Sequence, residues 1–208
     1  MQKNGQVVFI HGGDSFNSNE AFYEYLRKQE YQPHDEPYQR WRDWLQTELE
    51  QQNYEWLFMA MPNKQNADYE AWKIWFEKVT PFIKADNTTH VIGYSLGACF
   101  LLRYLTENNA PFTIDQLHLV VLALQEDGVD GGLGSFAVQP DLLPALNDCG
   151  SDIHLYHSTD DPICPYAHSE QVATSVATAQ LHTLTDRGHF FQPEFPELLA
   201  EIKKSASA

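Results

Sequence analysis

The chain is poor in cationic charge and in cysteine, and it has no long apolar run. Thirteen Lys and Arg stand against 29 Asp and Glu, a formal net charge of −16 over 208 residues. Such a field repels phosphate backbones and anionic bilayers, which argues against nucleic acid or a membrane as partner and suits a highly soluble protein. The three cysteines, Cys99, Cys149 and Cys164, are an odd and scattered set. They make no disulfide framework and fit a reducing compartment. No stretch is long enough for a signal h-region or a membrane span, and Met1 to Gly5 runs straight into a short apolar strand, so a cytoplasmic location is expected. Repeats and low-complexity tracts are absent. A metal signature is absent too: His154 and His157 lie three apart on what reads as a strand and so point to opposite faces. No cofactor is expected.

Apolar material is plentiful: 43% of residues are hydrophobic, with five Trp, ten Tyr and twelve Phe. That is enough to bury one good core, and no composition break divides the chain, so a single domain over residues 1–208 is expected. Short β-rich runs alternate with longer amphipathic ones, the pattern of a mostly parallel sheet with helices on both faces. Strands are predicted at Gln6–Ile10, Glu55–Met61, Thr89–Tyr94, Leu117–Leu124, Asp152–His157 and Gln180–Leu184. Helices are predicted at Trp41–Gln52, Tyr69–Ile83, Leu96–Thr106, Tyr166–Thr178 and Phe195–Lys203. Two segments fit neither period. Asp14–Arg40 is polar, aromatic and broken by Pro33 and Pro37, and Gln125–Gln139 is rich in glycine. Both leave strand carboxyl ends, where such sheets place ligands, and they read either as walls or lids of a pocket or as surface loops.

Chemistry concentrates where the third strand ends. Gly93-Tyr94-Ser95-Leu96-Gly97 is a Gly-x-Ser-x-Gly between an apolar strand and a helical run, the context in which a serine is exposed on a sharp turn. The flanking glycines leave room for that turn, and the serine stands near a helix amino terminus. A serine needs a base within hydrogen-bond reach to act as a nucleophile. His189 follows the last strand in Asp186-Arg187-Gly188-His189-Phe190 and would reach the same sheet edge. The carboxylate that orients it should leave the strand before, where Asp160 and Asp161 stand side by side. Asp161 is preferred because Pro162 stiffens the turn behind it, whereas Asp160 suits a turn-holding role. Oxyanion donors are expected from the backbone N–H of Leu96 and from the loop His11-Gly12-Gly13, with Gly13 named first and Gly12 close behind. His11 reads as a structural histidine, and Cys99 as a small buried hydrophobe on the helix after Ser95.

With these motifs placed, the chain resembles the small serine hydrolases related to retinoblastoma-binding protein 9, within the α/β-hydrolases. The order Ser, Asp, His is that of the larger class. Trp41-Arg42-Asp43-Trp44-Leu45-Gln46-Thr47-Glu48-Leu49 is similar to the family's tryptophan-bearing first helix and Met61-Pro62-Asn63 to its turn after the second strand. Ser158-Thr159-Asp160-Asp161-Pro162 and Asp186-Arg187-Gly188-His189-Phe190 resemble its acid and histidine segments. Two features depart from it: Asp14–Arg40 looks longer than the family's loop, and His11-Gly12-Gly13 is closer to α/β-hydrolases at large. The resemblance implies strand order 2-1-3-4-5-6, little or no cap, and serine hydrolase activity on small esters or amides without metal or organic cofactor. An esterase is the first reading. A peptidase, thioesterase or acyltransferase would use the same machinery, and an interaction protein on a hydrolase scaffold is the alternative from another class. The protein is expected to be a monomer or small homo-oligomer. Phe16, Tyr38, Trp41, Trp72 and Trp75 are open between acyl-pocket and core roles.

Overall fold

Six short runs of strand-forming residues join one sheet. In the computed structural model, which describes residues 3–30, 40–129 and 132–205, these are β1 (Gly5–Ile10), β2 (Tyr54–Met59), β3 (Thr89–Tyr94), β4 (Gln116–Val120), β5 (Asp152–Ser158) and β6 (Ala179–Leu184). Their order is β2-β1-β3-β4-β5-β6, and every neighbouring pair is parallel. All six carboxyl ends therefore open on one edge, and loops from six strands can meet there. The helices among the described residues are α1 (Asn19–Lys28), α2 (Trp41–Gln51), α3 (Tyr69–Phe76), α4 (Leu96–Glu107), α5 (Tyr166–Ser175) and α6 (Pro196–Ser205).

The period-2 alternation of the strands divides the core in two. Val7, Phe9, Ile92, Val120 and Tyr156 face α2 and α6, where Trp41, Leu45, Leu49, Leu198 and Ile202 cover them. Val8, Ile10, Val91, Leu117, Leu119, Ile153 and Leu155 face the other side, packed with Trp72, Phe76, Val172 and nearly the whole of α4. Each fully buried Leu, Val or Phe contributes about 1.5–3 kcal/mol relative to exposure, so both layers are needed to hold the sheet. α4 is buried from Leu96 to Leu102, which fixes the turn in front of it to the centre of the sheet.

Where the elements depart from expectation, the reason is local. β4 stops at Val120 although the apolar run continues to Leu124, because Val121 takes φ 51° and the chain leaves the sheet. Val121 to Leu124 stay buried by packing, not by strand pairing. The helix starting at Tyr69 tightens into a 3₁₀ turn over Glu77–Phe82, which contains Pro81. A 3₁₀ stretch at Pro140–Asp148 and helix α1 were not expected. α1 carries apolar residues at helical spacing, Phe22, Tyr25 and Leu26, but none of its residues is fully buried. Its ends do carry signals: Ser18 accepts from the Ala21 N–H, Glu20 lies in the first turn, and Arg27 and Lys28 in the last. Within Asp14–Arg40, residues 31–39, including Pro33, Pro37 and Tyr38, lie outside the described residues.

Candidate active site

Ser95 closes the turn between β3 and α4 with φ 54° and ψ −122°, a conformation rare for a residue with a side chain. The turn is held by the Ser95 N–H bond to the Val120 carbonyl at 2.9 Å. Its sharpness leaves no room beside it. A Cβ on Gly93 would lie 2.6 Å from the Gly97 carbonyl oxygen, and one on Gly97 would lie 2.5 Å from that of Ile10. The two glycines therefore let strand, helix and first loop converge on the serine.

His189 reaches Ser95 from the loop after β6. Its Nε2 lies 3.0 Å from Ser95 Oγ, and its Nδ1 lies 2.9 and 3.1 Å from the two carboxylate oxygens of Asp161. The histidine is 4% exposed and the Asp161 side chain fully buried. The loop is wound tightly, with positive φ at Asp186, Gly188 and Phe190. The Tyr94 hydroxyl donates to the His189 carbonyl at 2.8 Å, tying this loop to the residue just before the serine.

The adjacent aspartates do different things. Asp161 Oδ1 accepts the N–H groups of Ile163 and Cys164 at 2.8 and 3.0 Å, which locks the carboxylate toward His189. Burial pushes its pKa up, but the bond and charge of His189 and the two backbone donors outweigh that, and the net direction is down. Asp160 accepts from the Ser158 hydroxyl and, at 3.1 Å, from the Gly188 N–H, while Ser158 Oγ accepts the Arg187 N–H at 3.2 Å. Asp160 thus braces the histidine loop of the next strand, a wider role than holding its own turn. His157, which drew notice only as a non-ligand, lies 3.6 Å from Asp161 Oδ2. Its own bonds run to Ser169 Oγ and the Cys164 carbonyl, and burial lowers its pKa.

Opposite the serine lies the first loop. A Cβ on Gly13 would be 2.4 Å from the Lys64 carbonyl oxygen, which excludes a side chain there, and one on Gly12 would sit tightly, 3.0 Å from Ser95 Cβ. Among the described residues, no hydrogen bond engages the backbone N–H of Gly12, Gly13 or Leu96. His11 holds this loop to the turn after β2: its Nδ1 lies 2.6 Å from the Gly12 carbonyl oxygen, and its Nε2 accepts the Met61 N–H at 3.0 Å.

These groups line a cavity of about 630 Å³. Its lining includes apolar Ala123 and Ile163 just past β4 and β5, Val129 and Leu133 from the glycine-rich segment, and Phe9, Trp41, Arg42, Phe58 and Lys64 from and around β1 and β2. Of the aromatic residues singled out in sequence, Trp41 lines the cavity, Trp72 is core, Trp75 is 43% exposed, and Phe16 packs on Phe22 and Tyr25. Phe58, Tyr94, Phe190 and Phe191 also line it, but their runs alternate like any strand or loop, so sequence offered no signal for them. Asp14 and Ser15 from one irregular segment and Val129, Gly132 and Leu133 from the other form part of its wall.

A serine on a strained strand-to-helix turn at the carboxyl edge of a parallel sheet, with a histidine and a carboxylate arriving from later strands, defines the α/β-hydrolase class. The sequence narrows this further. The chain is 31% identical to the serine hydrolase RBBP9 of Rattus norvegicus over 164 residues, 78% of this chain and 84% of that protein. It belongs to the family of serine hydrolases related to RBBP9. No family model matches it. Among solved structures, the ydeN gene product of B. subtilis superposes with a TM-score of 0.72 at 19% identity, over 98% of this chain and all of the other. The esterase EaEST of Exiguobacterium antarcticum gives 0.60 at 14% identity, over 100% and 94%. At those identities the structural likeness establishes the fold.

Proposed function

We propose that this hydrolase works through an acyl-enzyme on small carboxylic esters, with Ser95 as nucleophile, His189 as general base and then general acid, and Asp161 as the group that orients the histidine. The observation that carries this reading is the unbroken chain from Asp161 through His189 to Ser95 Oγ, lying along the cavity. Asp161, with its pKa held down, is ionised at neutral pH and accepts only, so the ring proton sits on Nδ1. The lone pair of Nε2 then faces the serine hydroxyl and takes its proton as Oγ bonds to the acyl carbon. The oxyanion that forms is received by the backbone N–H groups of Leu96 and Gly13, which have no competing bond within the described residues. The imidazolium returns its proton to the departing alcohol oxygen. Water, deprotonated by the same nitrogen, then releases the acid and restores Ser95.

The reading supposes a small-molecule ester or amide as substrate, no nucleic acid or membrane partner, a cytoplasmic location, and a monomer or small homo-oligomer. It also supposes no metal or cofactor. The test is intact mass after treatment with a fluorophosphonate. The expected result is one adduct on the wild-type chain and none on Ser95→Ala or His189→Ala. A folded wild-type protein that takes no adduct would refute an activated serine.

A further inference from the structure

Because neighbouring strands lie about 4.8 Å apart, the sheet edge is a ruler along which the cavity can be read. Ser95 sits at the end of β3, near its middle. Just past β4 and β5 the lining residues Ala123 and Ile163 are apolar. Toward β2, about 10 Å or two strand spacings away, the lining is aromatic and cationic. Among the described residues that line the cavity, three are Lys or Arg and one is Asp, in a chain with 13 basic and 29 acidic residues. Basic charge is therefore gathered here against the composition of the whole.

Two of these cations are placed to receive a ligand. Arg42, half-buried on α2, lies 5.0 Å from the centroid of the Phe58 ring. Its Nε and Nη2 both bond one oxygen of Asp43, and among the described residues no bond engages Nη1. Lys64 follows β2, and its backbone abuts Gly13; its ammonium has no ion pair among the described residues. The field of both reaches the cavity floor. Burial is the main reason that the His11 pKa is lowered, and after the opposing Gly12 bond the charges of Lys64 and then Arg42 lower it further. With a net charge of −16, the protein repels anions from the rest of its surface, so this local reversal selects.

We propose that Arg42 and Lys64 form the recognition site for a substrate carboxylate, and that the natural substrates are esters or amides carrying an anionic group at one end and an apolar acyl or alcohol part at the other. The apolar part lies toward Ala123 and Ile163. The inference rests on the hydrolase reading above and adds the charge of the substrate to it.

The test compares kcat/KM within two pairs of esters of matched length. In the first the acyl part differs: 4-nitrophenyl hydrogen suberate against 4-nitrophenyl octanoate. In the second the alcohol part differs: 4-(octanoyloxy)benzoate against phenyl octanoate. The expected result is a preference for the anionic ester of roughly tenfold in at least one pair, the scale of two partly exposed ion pairs. That preference should shrink as salt is raised and fall toward one in the double variant Arg42→Gln, Lys64→Gln. Equal or better turnover of the neutral ester in both pairs, or a preference that survives in the double variant, would overturn it. Fluorophosphonate labelling separates the two levels. A labelled Ser95 without charge preference defeats this inference alone, whereas an unlabelled serine with no turnover defeats the hydrolase reading and this inference with it.

Discussion

Lowering the pH from 7 to 5 should destabilise this protein before its carboxylates titrate, because histidines stacked under α6 are held neutral. His90, His118, His154 and His182 project from β3, β4, β5 and β6 on the same face. Their ring centroids are 6.2, 5.0 and 5.3 Å apart in succession. His90 and His118 are fully buried. Burial pushes the pKa of His90 down to about 4, against weaker opposition from its bond to Gln116 and the charge of Asp115. It pushes His118 well below its ordinary value, helped by the neighbouring imidazoles. His154 and His182 are also lowered by burial, although Glu201, itself paired with Lys204, pulls them the other way.

With the folded pKa below the unfolded value of 6.5, the unfolded chain binds protons that the native state refuses, so stability falls as pH drops from 6.5 toward the folded pKa. At pH 5 the proton that His90 refuses costs about 2 kcal/mol, a sizeable share of a stability of about 5–15 kcal/mol, and His118 adds in the same direction. The assay is urea unfolding followed by tryptophan fluorescence at both pH values. The midpoint should drop by roughly 1 M in the wild-type chain from His90, and by more with His118. In His118→Gln the drop should be smaller than in the wild-type chain, whatever the variant loses at pH 7. A wild-type midpoint that does not move, or a variant with the full drop, would refute the argument.

Four substitutions probe the site. Asp161→Asn should reduce kcat by about 10³–10⁴-fold through the wrong imidazole tautomer. Asp160→Asn, which only loosens the brace on Gly188, should reduce it by less than about tenfold; equal losses would overturn the assignment of the acid, and steady-state kinetics decides. Gly97→Ala drives a Cβ to 2.5 Å from the Ile10 carbonyl oxygen. It should lower Tm by about 4 °C or more and slow fluorophosphonate labelling, since the first loop must retreat from Ser95. His11→Ala removes the acceptor of the Met61 N–H and should cost about 1–3 kcal/mol in a denaturation midpoint; an unchanged midpoint would show that the bond holds nothing.

The strands, the turn at Ser95 and the chain order of serine, acid and histidine were legible in sequence, because each rests on neighbours along the chain. A period of two makes a strand, glycines two residues to either side make the turn possible, and Gly188 before His189 marks a loop. The placement of His154 and His157 on opposite faces was legible for the same reason, and β5 carries them so. What sequence left open depends on groups far apart in the chain. Asp160 and Asp161 differ by one residue, yet one bonds the backbone of Gly188 and the other the ring of His189. Arg42 and Lys64, 22 positions apart in the chain, line the same cavity as Ser95 only because β2 lies beside β1 and β1 beside β3. The four stacked histidines are ordinary alternating strand positions until parallel register aligns them. Local sequence thus determined the elements and the turn at Ser95, since short-range sterics and periodicity suffice for both. Tertiary structure alone decided which carboxylate meets the histidine, where positive charge gathers and which imidazoles lose their water, because each depends on distance and burial across the sheet.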